Sequence, residues 1–427
     1  MIENSKPSKA NSLKHVLFGS LIGTTIEFFD FYIYANAAVL VFPKLFFPSS
    51  DPTTSTIESL ATFSIAFFAR PIGSAVFGHY GDKIGRKATL VAALLTMGIS
   101  TVCIGLLPTY LNIGILAPLL LMLCRFGQGL GLGGEWGGAV LLAIENAPPG
   151  KRAWYGMFPQ LGAPIGLLLS GGTFLLLSDL LTEEQFFEFG WRIPFISSSL
   201  LVIVGFYIRL KITETPSFEQ ALQSKKQVEI PLVTIIKSYK RELLFGTFAA
   251  VATFVTFYLM TVFSLSWATS DLGFSRRDFL IIQLFSIVFF VLGIPISAKL
   301  ADQFGRKKIL ILIVSLIVLF GFSFSFFLNS ESTPLITIFV CLGMGLMGLS
   351  YGPIGTFLSE LFPTEVRYSG ASLTFNLAGI LGASFAPLLA IWLAKSYGIA
   401  FVGLYLSIAA FISVLALLLI REKEDRF

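Results

Sequence analysis

The stretch Gly78-His-Tyr-Gly-Asp-Lys-Ile-Gly-Arg-Lys87 returns as Ala298-Lys-Leu-Ala-Asp-Gln-Phe-Gly-Arg-Lys307, with an offset of 220 positions (302 − 82) between the two aspartates. Each copy closes one apolar run and opens the next. The repetition continues beyond these turns. Glu145 is followed by Arg152 after a proline-containing loop, and Glu360 by Arg367 in the same way, an offset of 215 (360 − 145). A chain that writes the same charged turns at the same places in two halves is duplicated. The apolar runs around them make it a duplicated membrane protein, most simply a transporter.

With 55% hydrophobic residues, 13% charged and a mean hydropathy of +0.81, the chain cannot present the surface of a water-soluble globule. Twelve apolar runs approach the ~20 residues that a membrane-crossing helix needs. They cover 16–42, 57–80, 88–108, 113–143, 155–178, 191–210, 242–269, 279–299, 309–328, 335–359, 370–394 and 398–420. The expected fold is an all-α membrane protein with twelve transmembrane helices in two pseudo-symmetric six-helix bundles, residues 1–210 and 242–427. A polar cytoplasmic linker, 211–241, joins them.

Most of the 30 Lys and Arg fall in loops and tails on one side of this arrangement, which the positive-inside rule places in the cytoplasm with both termini. The location expected is therefore the plasma membrane, the inner membrane in a bacterium. The net charge of +5 reports orientation and not nucleic-acid binding. Cys103, Cys124 and Cys341 lie in apolar runs and read as small hydrophobes, while His15 and His79 are too far apart for metal-ligand spacing. No nucleophile, base or metal cluster points to an enzyme, and no cofactor is expected beyond protons as coupling ion. The partners expected are a small-molecule substrate and the lipid bilayer, with the monomer as the working unit.

A charge at mid-membrane costs ~2.5–3.5 kcal/mol even on the lenient insertion scale, so each one present calls for a purpose. Such residues are confined to the first half: Glu27 and Asp30 in the first span, Arg70 in the second, Arg125 and Glu135 in the fourth. They could pair among themselves as buried salt bridges. The functional alternative makes Asp30 and Arg125 a proton-coupled pair, because a carboxylate beside a guanidinium stays ionised and takes a proton when that partner leaves. Glu135, in the glycine-rich run 127–138, is a competing acceptor, with Glu27 as a further candidate. Arg70 then remains for a ligand carboxylate, whose geometry a planar fork matches. Tyr34, Tyr258, Gln283, Tyr351 and Asn376 are the polar and aromatic candidates for the rest of the pocket. The repeated turns read as gates, with Asp82, Arg86, Glu145 and Arg152 in the first half and Asp302, Arg306, Glu360 and Arg367 in the second.

The paired Asp-x-x-Gly-Arg-Lys turns, together with Arg125-Phe-Gly-Gln-Gly129, resemble the signatures of the major facilitator superfamily. More narrowly, Glu27-Phe-Phe-Asp-Phe-Tyr-Ile-Tyr34, Ala69-Arg-Pro-Ile-Gly73, Gly129-Leu-Gly-Leu-Gly-Gly-Glu-Trp-Gly138 and Gly190-Trp-Arg-Ile-Pro-Phe195 resemble its metabolite:proton symporter branch. That resemblance implies uptake of a metabolite such as shikimate, 2-oxoglutarate, citrate, or proline and betaine. It also implies proton coupling through an acid of the first span and an arginine of the fourth, the positions of Asp30 and Arg125. A drug exporter of the same superfamily is the main alternative. Gly162-Ala-Pro-Ile-Gly166 only partly matches the exporter bend, and two buried arginines suit anions better than lipophilic cations.

Overall fold

A computed structural model describes residues 13–49, 51–84, 86–211, 231–330, 332–363 and 366–421, apart from the side chains at 13–16, 78–90, 208–211 and 231. Twelve helical rods cross the fold: α1 (Leu13–Leu40), α2 (Pro52–Ile84), α3 (Arg86–Leu106), α4 (Leu116–Leu132, resuming as Trp136–Glu145), α5 (Arg152–Leu180) and α6 (Ile193–Lys211), then α7 (Lys240–Ser270), α8 (Arg276–Phe304), α9 (Arg306–Gly321), α10 (Thr333–Glu360), α11 (Arg367–Tyr397) and α12 (Ile399–Leu419). Among the described residues, nine of them are by length and composition apolar enough to cross a bilayer. The other three depart for visible reasons: Glu27, Asp30 and Asn36 make α1 more polar, α3 has Val91–Leu106 as its described apolar part, and α9 is short.

The duplication read from the charged turns governs the packing. α1 lies on α5 as α7 lies on α11, α2 on α4 as α8 on α10, and α3 on α6 as α9 on α12. The halves meet where α5 packs on α8 and α10, and where α2 and the second segment of α4 pack on α11. Local chemistry sets the helix ends. Asp51 accepts from the backbone N–H of Thr53 (3.2 Å) and Thr54 (3.0 Å) and from the Thr54 hydroxyl (2.7 Å), starting α2. Those bonds, the Thr54 hydroxyl first, hold its carboxyl below the usual carboxylate range. Ser275 starts α8 by accepting from the Asp278 N–H at 3.1 Å.

Three interruptions were not foreseen. The run 113–143, expected as one span, breaks at Gly133–Glu135. A Cβ on Gly133 would collide with the Arg70 carbonyl, so glycine lets α4 and α2 touch there. The break leaves carbonyls that need donors at membrane depth, and it finds them: the Ser74 hydroxyl donates to the Gly133 carbonyl and Tyr368 of α11 to the Gly134 carbonyl. α7 and α11 each contain a π-helical segment, Leu259–Phe263 and Ile380–Ser384. In each a carbonyl is taken by a neighbouring helix: Gln283 Nε2 donates to Thr261 O at 3.0 Å, and Ser64 Oγ donates to Ser384 O at 2.5 Å. Of the expected linker 211–241, residues 212–230 lie outside the described residues. Its last part is the helix Pro231–Ser238, anchored by buried Ile235.

Candidate substrate and coupling site

Arg70 occupies the contact region between the halves. It is 6% exposed, and its guanidinium carbon lies 4.5 Å from the ring centres of both Phe31 and Phe67. Tyr32, Tyr258 and Tyr351 are its electrostatic neighbours. Tyr258 of the second half packs on Phe63 (5.4 Å) and Phe67 (5.7 Å) of the first, and Phe257 on Tyr32 (5.4 Å). Among the described residues Arg70 has no ion pair, and its Nε has no hydrogen-bond partner. Two aromatic faces, at ~0.5–2 kcal/mol each, do not match the several kcal/mol that burying an ion costs. The arrangement is short of an anion.

Asp30 and Arg125 are fully buried, yet they do not form the direct ion pair expected of them: no carboxylate lies within salt-bridge distance of Arg125 among the described residues. Arg125 Nη1 donates instead to Gln128 Oε1 at 2.9 Å, one helical turn along α4. Gln128 Nε2 donates to Thr101 Oγ1 of α3 at 2.8 Å, that hydroxyl donates to Met97 O at 2.9 Å, and Thr101 is an electrostatic neighbour of the Asp30 carboxyl. Ser198 of α6 donates to Asp30 Oδ1 at 2.5 Å, while Asp30 Oδ2 has no partner. The Arg125 guanidinium is packed among Phe31 (4.2 Å), Tyr34 (4.0 Å) and Phe63 (4.8 Å). Phe31 therefore has two guanidinium groups near its ring, Arg70 and Arg125. Helical spacing places Asp30 and Tyr34 on one face of α1, which explains why both reach Arg125's surroundings.

Glu27 and Glu135 are buried, each with an interaction of its own. Three expected pocket residues are placed differently. Tyr34 is enclosed within the first bundle, its hydroxyl 2.6 Å from Thr62 Oγ1, one layer behind the interface. Gln283 is committed to the π segment of α7, and Asn376 Nδ2 donates to Ser74 Oγ at 3.0 Å, bridging α11 and α2. Tyr258 and Tyr351 do border Arg70. Reading the sequence missed Trp136, which stacks on Phe375 of α11 with centroids 3.6 Å apart and donates from Nε1 to Gln160 Oε1 at 3.0 Å. Gln160 Nε2 in turn donates to Tyr351 O at 3.1 Å, tying α4, α5 and α10 together below Arg70's aromatic surround. A single Trp inside a glycine run gave no periodic signal.

At the end that carries the 211–231 connection, Asp302 accepts from the backbone N–H of Ala153 and Trp154, both at 2.9 Å. An aspartate of the second half thus caps α5 of the first, where the helix dipole favours an anion. Arg306 pairs with Asp302 (3.3 Å) and Glu360 (3.3 Å), and Arg152 and Arg367 are electrostatic neighbours of Glu360. Thr356 Oγ1 donates to the Arg152 carbonyl at 3.3 Å. Glu145 has an interaction of its own, and Arg367 Nε donates to Phe362 O at 3.1 Å. The side chains of Asp82 and Arg86 lie outside the described residues. At the opposite end the halves are joined by Arg276–Glu183 (3.0 Å) and Arg277–Asp179 (2.5 Å), pairs the sequence did not announce. Removing the cap with Asp302→Ala should cost the closed state about 1–2 kcal/mol, roughly five- to thirty-fold in the ratio of closed to open. A cysteine placed at Thr356 in a background without the native cysteines should then alkylate several-fold faster. An unchanged rate would show that the cap does not hold this end shut.

Two pseudo-symmetric bundles, joined at both ends around a buried guanidinium, fit a membrane transporter. Residues 20–380 match the Major Facilitator Superfamily, and the chain belongs to it. It is 58% identical over 421 residues to the inner membrane metabolite transport protein YhjE of Escherichia coli K12, covering 97% of this chain and 96% of that one. It is 35% identical to the shikimate transporter of the same organism, covering 96% and 95%, and 34% identical to the proline/betaine transporter of Salmonella typhimurium LT2, covering 97% and 84%. The solved structure of the proton:xylose symporter XylE shares the fold, with a TM-score of 0.72 at 18% identity over 95% of this chain and 94% of that one.

Proposed function

We propose that the chain is a proton-coupled symporter that takes up a small organic acid metabolite, shikimate-like or a di- or tricarboxylate, by alternating access. The observation that carries this reading is Arg70: a buried cation between the halves, bordered by tyrosines and lacking a carboxylate partner among the described residues. A carboxylate entering there gains charge-assisted, bidentate hydrogen bonds. Asp30 is the proton site, taking its proton while Arg125 is turned to Gln128 and giving it up when Arg125 swings across. The two halves, 1–210 and 242–427, rock about the segment 211–241 in the cytoplasm, with both termini on that side, the monomer as the unit and no cofactor. The similarity to a shikimate transporter supports the acid; the similarity to a proline/betaine transporter, with aromatic faces fit for an ammonium group, favours a zwitterion as the second reading.

Charge arithmetic separates the two. A monoanion entering with one proton moves no net charge, whereas a zwitterion entering with one proton moves +1. In proteoliposomes of the full chain, tested with shikimate, 2-oxoglutarate, citrate, proline and glycine betaine, an inward proton gradient should drive accumulation of an acid. A 100 mV inside-negative potential at equal pH, about 2.3 kcal/mol per charge, should drive a zwitterion but not a monoanion. Accumulation that persists with a protonophore present would reject proton symport altogether.

A further inference from the structure

We infer that Gln128 is a positioning residue for proton coupling: its amide holds Arg125 away from Asp30, so that losing this hold frees Arg125 to act on the Asp30 carboxyl. The inference rests on the coupling role proposed for Asp30. Its geometric basis is a buried set of hydrogen bonds on α4, α3, α1 and α6: Arg125 Nη1 to Gln128 Oε1 (2.9 Å), Gln128 Nε2 to Thr101 Oγ1 (2.8 Å), whose own proton goes to Met97 O (2.9 Å), and Ser198 Oγ to Asp30 Oδ1 (2.5 Å). The atoms left over are complementary. Asp30 Oδ2 lacks a donor, while Arg125 Nε and Nη2 lack acceptors, all at buried positions. One neutral side chain engages the arginine with its acceptor and the Thr101 hydroxyl with its donor. Glutamine is the residue type that offers both at that length.

The titratable or charged groups on the elements around Asp30 are few. Among the described side chains, α4 contributes Cys124, Arg125, Glu135 at its break and Glu145, α2 contributes Glu58 and Arg70, α3 has Cys103, and α1 itself has Glu27, Tyr32 and Tyr34. α5 has none between Tyr155 and Asp179, and α6 none between Arg192 and Tyr207. Of the two cations, Arg125 is the one joined through Gln128 to Thr101, and Gln128 is its hydrogen-bond partner in this conformation.

Two near-isosteric replacements push in opposite directions. Gln128→Leu removes the acceptor that holds Arg125, so the guanidinium turns to Asp30 and favours its ionised form. Gln128→Glu pairs with Arg125 permanently and adds negative charge beside Thr101, favouring protonated Asp30. The measurement is an infrared difference titration of the protonated-carboxyl band in the full chain reconstituted in liposomes, with the band assigned by its loss in Asp30→Asn; no transported ligand is needed. The midpoint is expected to fall by at least one pH unit in Gln128→Leu and to rise by at least one in Gln128→Glu. A wild-type Asp30 band that does not titrate between pH 4 and 10 overturns the coupling role itself, and Gln128's with it. A wild-type band that titrates, with both variants keeping its midpoint or moving it in the same direction, overturns the role of Gln128 alone. If Gln128→Leu fails to fold, the rise in Gln128→Glu decides.

Discussion

Replacing Arg70 with lysine is expected to weaken apparent substrate affinity at least tenfold, matching the ~1.5–3 kcal/mol of a hydrogen bond to a charged group. Lysine keeps the charge but loses the fork that grips two carboxylate oxygens at once, and its compact ammonium makes a poorer fit between the faces of Phe31 and Phe67, each 4.5 Å from the guanidinium. The decisive form of the experiment is a cycle with a neutral analogue lacking the carboxylate. Wild type should lose affinity for the analogue by a similar factor, and Arg70→Lys should show little further loss, because both changes remove one interaction. A purely structural Arg70 predicts lower protein levels, with the surviving carriers keeping their full preference for the acid. That ratio, measured in both proteins, decides whether an organic anion is the cargo.

Much of this is legible in the sequence, because a bilayer makes charge scarce and therefore informative. Asp302 and Arg306 stood out as a repeated turn, and the structure brings them together with Glu360. The same scarcity marked Arg70, Asp30 and Arg125 as the residues to watch. What stayed hidden is partner choice among neutral groups. Gln128, Thr101 and Ser198 are unremarkable in a string of letters, since glutamine, threonine and serine in a helical bundle usually bridge helices. Only the fold brings them together around Asp30, Ser198 by a direct hydrogen bond and Gln128 through its bonds to Arg125 and Thr101. The backbone irregularity of α7 was hidden for a related reason: its π segment carries no proline, so nothing local announces it, whereas the one in α11 lies just before Pro387, which cannot bond back to Ala383; in each, a donor from another helix takes a carbonyl. Asp302's partner was equally remote, because the backbone N–H groups of Ala153 and Trp154 lie in the other half of the chain.

Asp30→Asn should have the largest consequence of all for energetics: loss of pH-driven accumulation, with exchange of substrate at equal pH still measurable. One pH unit supplies about 1.4 kcal/mol per proton, so a carrier moving one proton per monoanion concentrates its substrate roughly tenfold per unit, and an uncoupled carrier only equilibrates it. Asparagine suits the site sterically. It can accept from Ser198 as Oδ1 does now, and it resembles the neutral acid that a carboxyl without a cationic partner has reason to be at this depth. The variant should therefore fold and cycle as though permanently protonated, while being unable to release a proton. Arg125 would lose the anion it is proposed to visit, leaving it with Gln128 and its three aromatic faces. Measured accumulation in proteoliposomes should then be independent of the imposed pH gradient, while counterflow proceeds. If accumulation and exchange disappear together at normal protein levels, Asp30 serves the structure or the substrate and not the proton. If accumulation survives, the proton is carried elsewhere, and Glu135, buried at the break in α4 beside the α11 interface, is the next residue to replace.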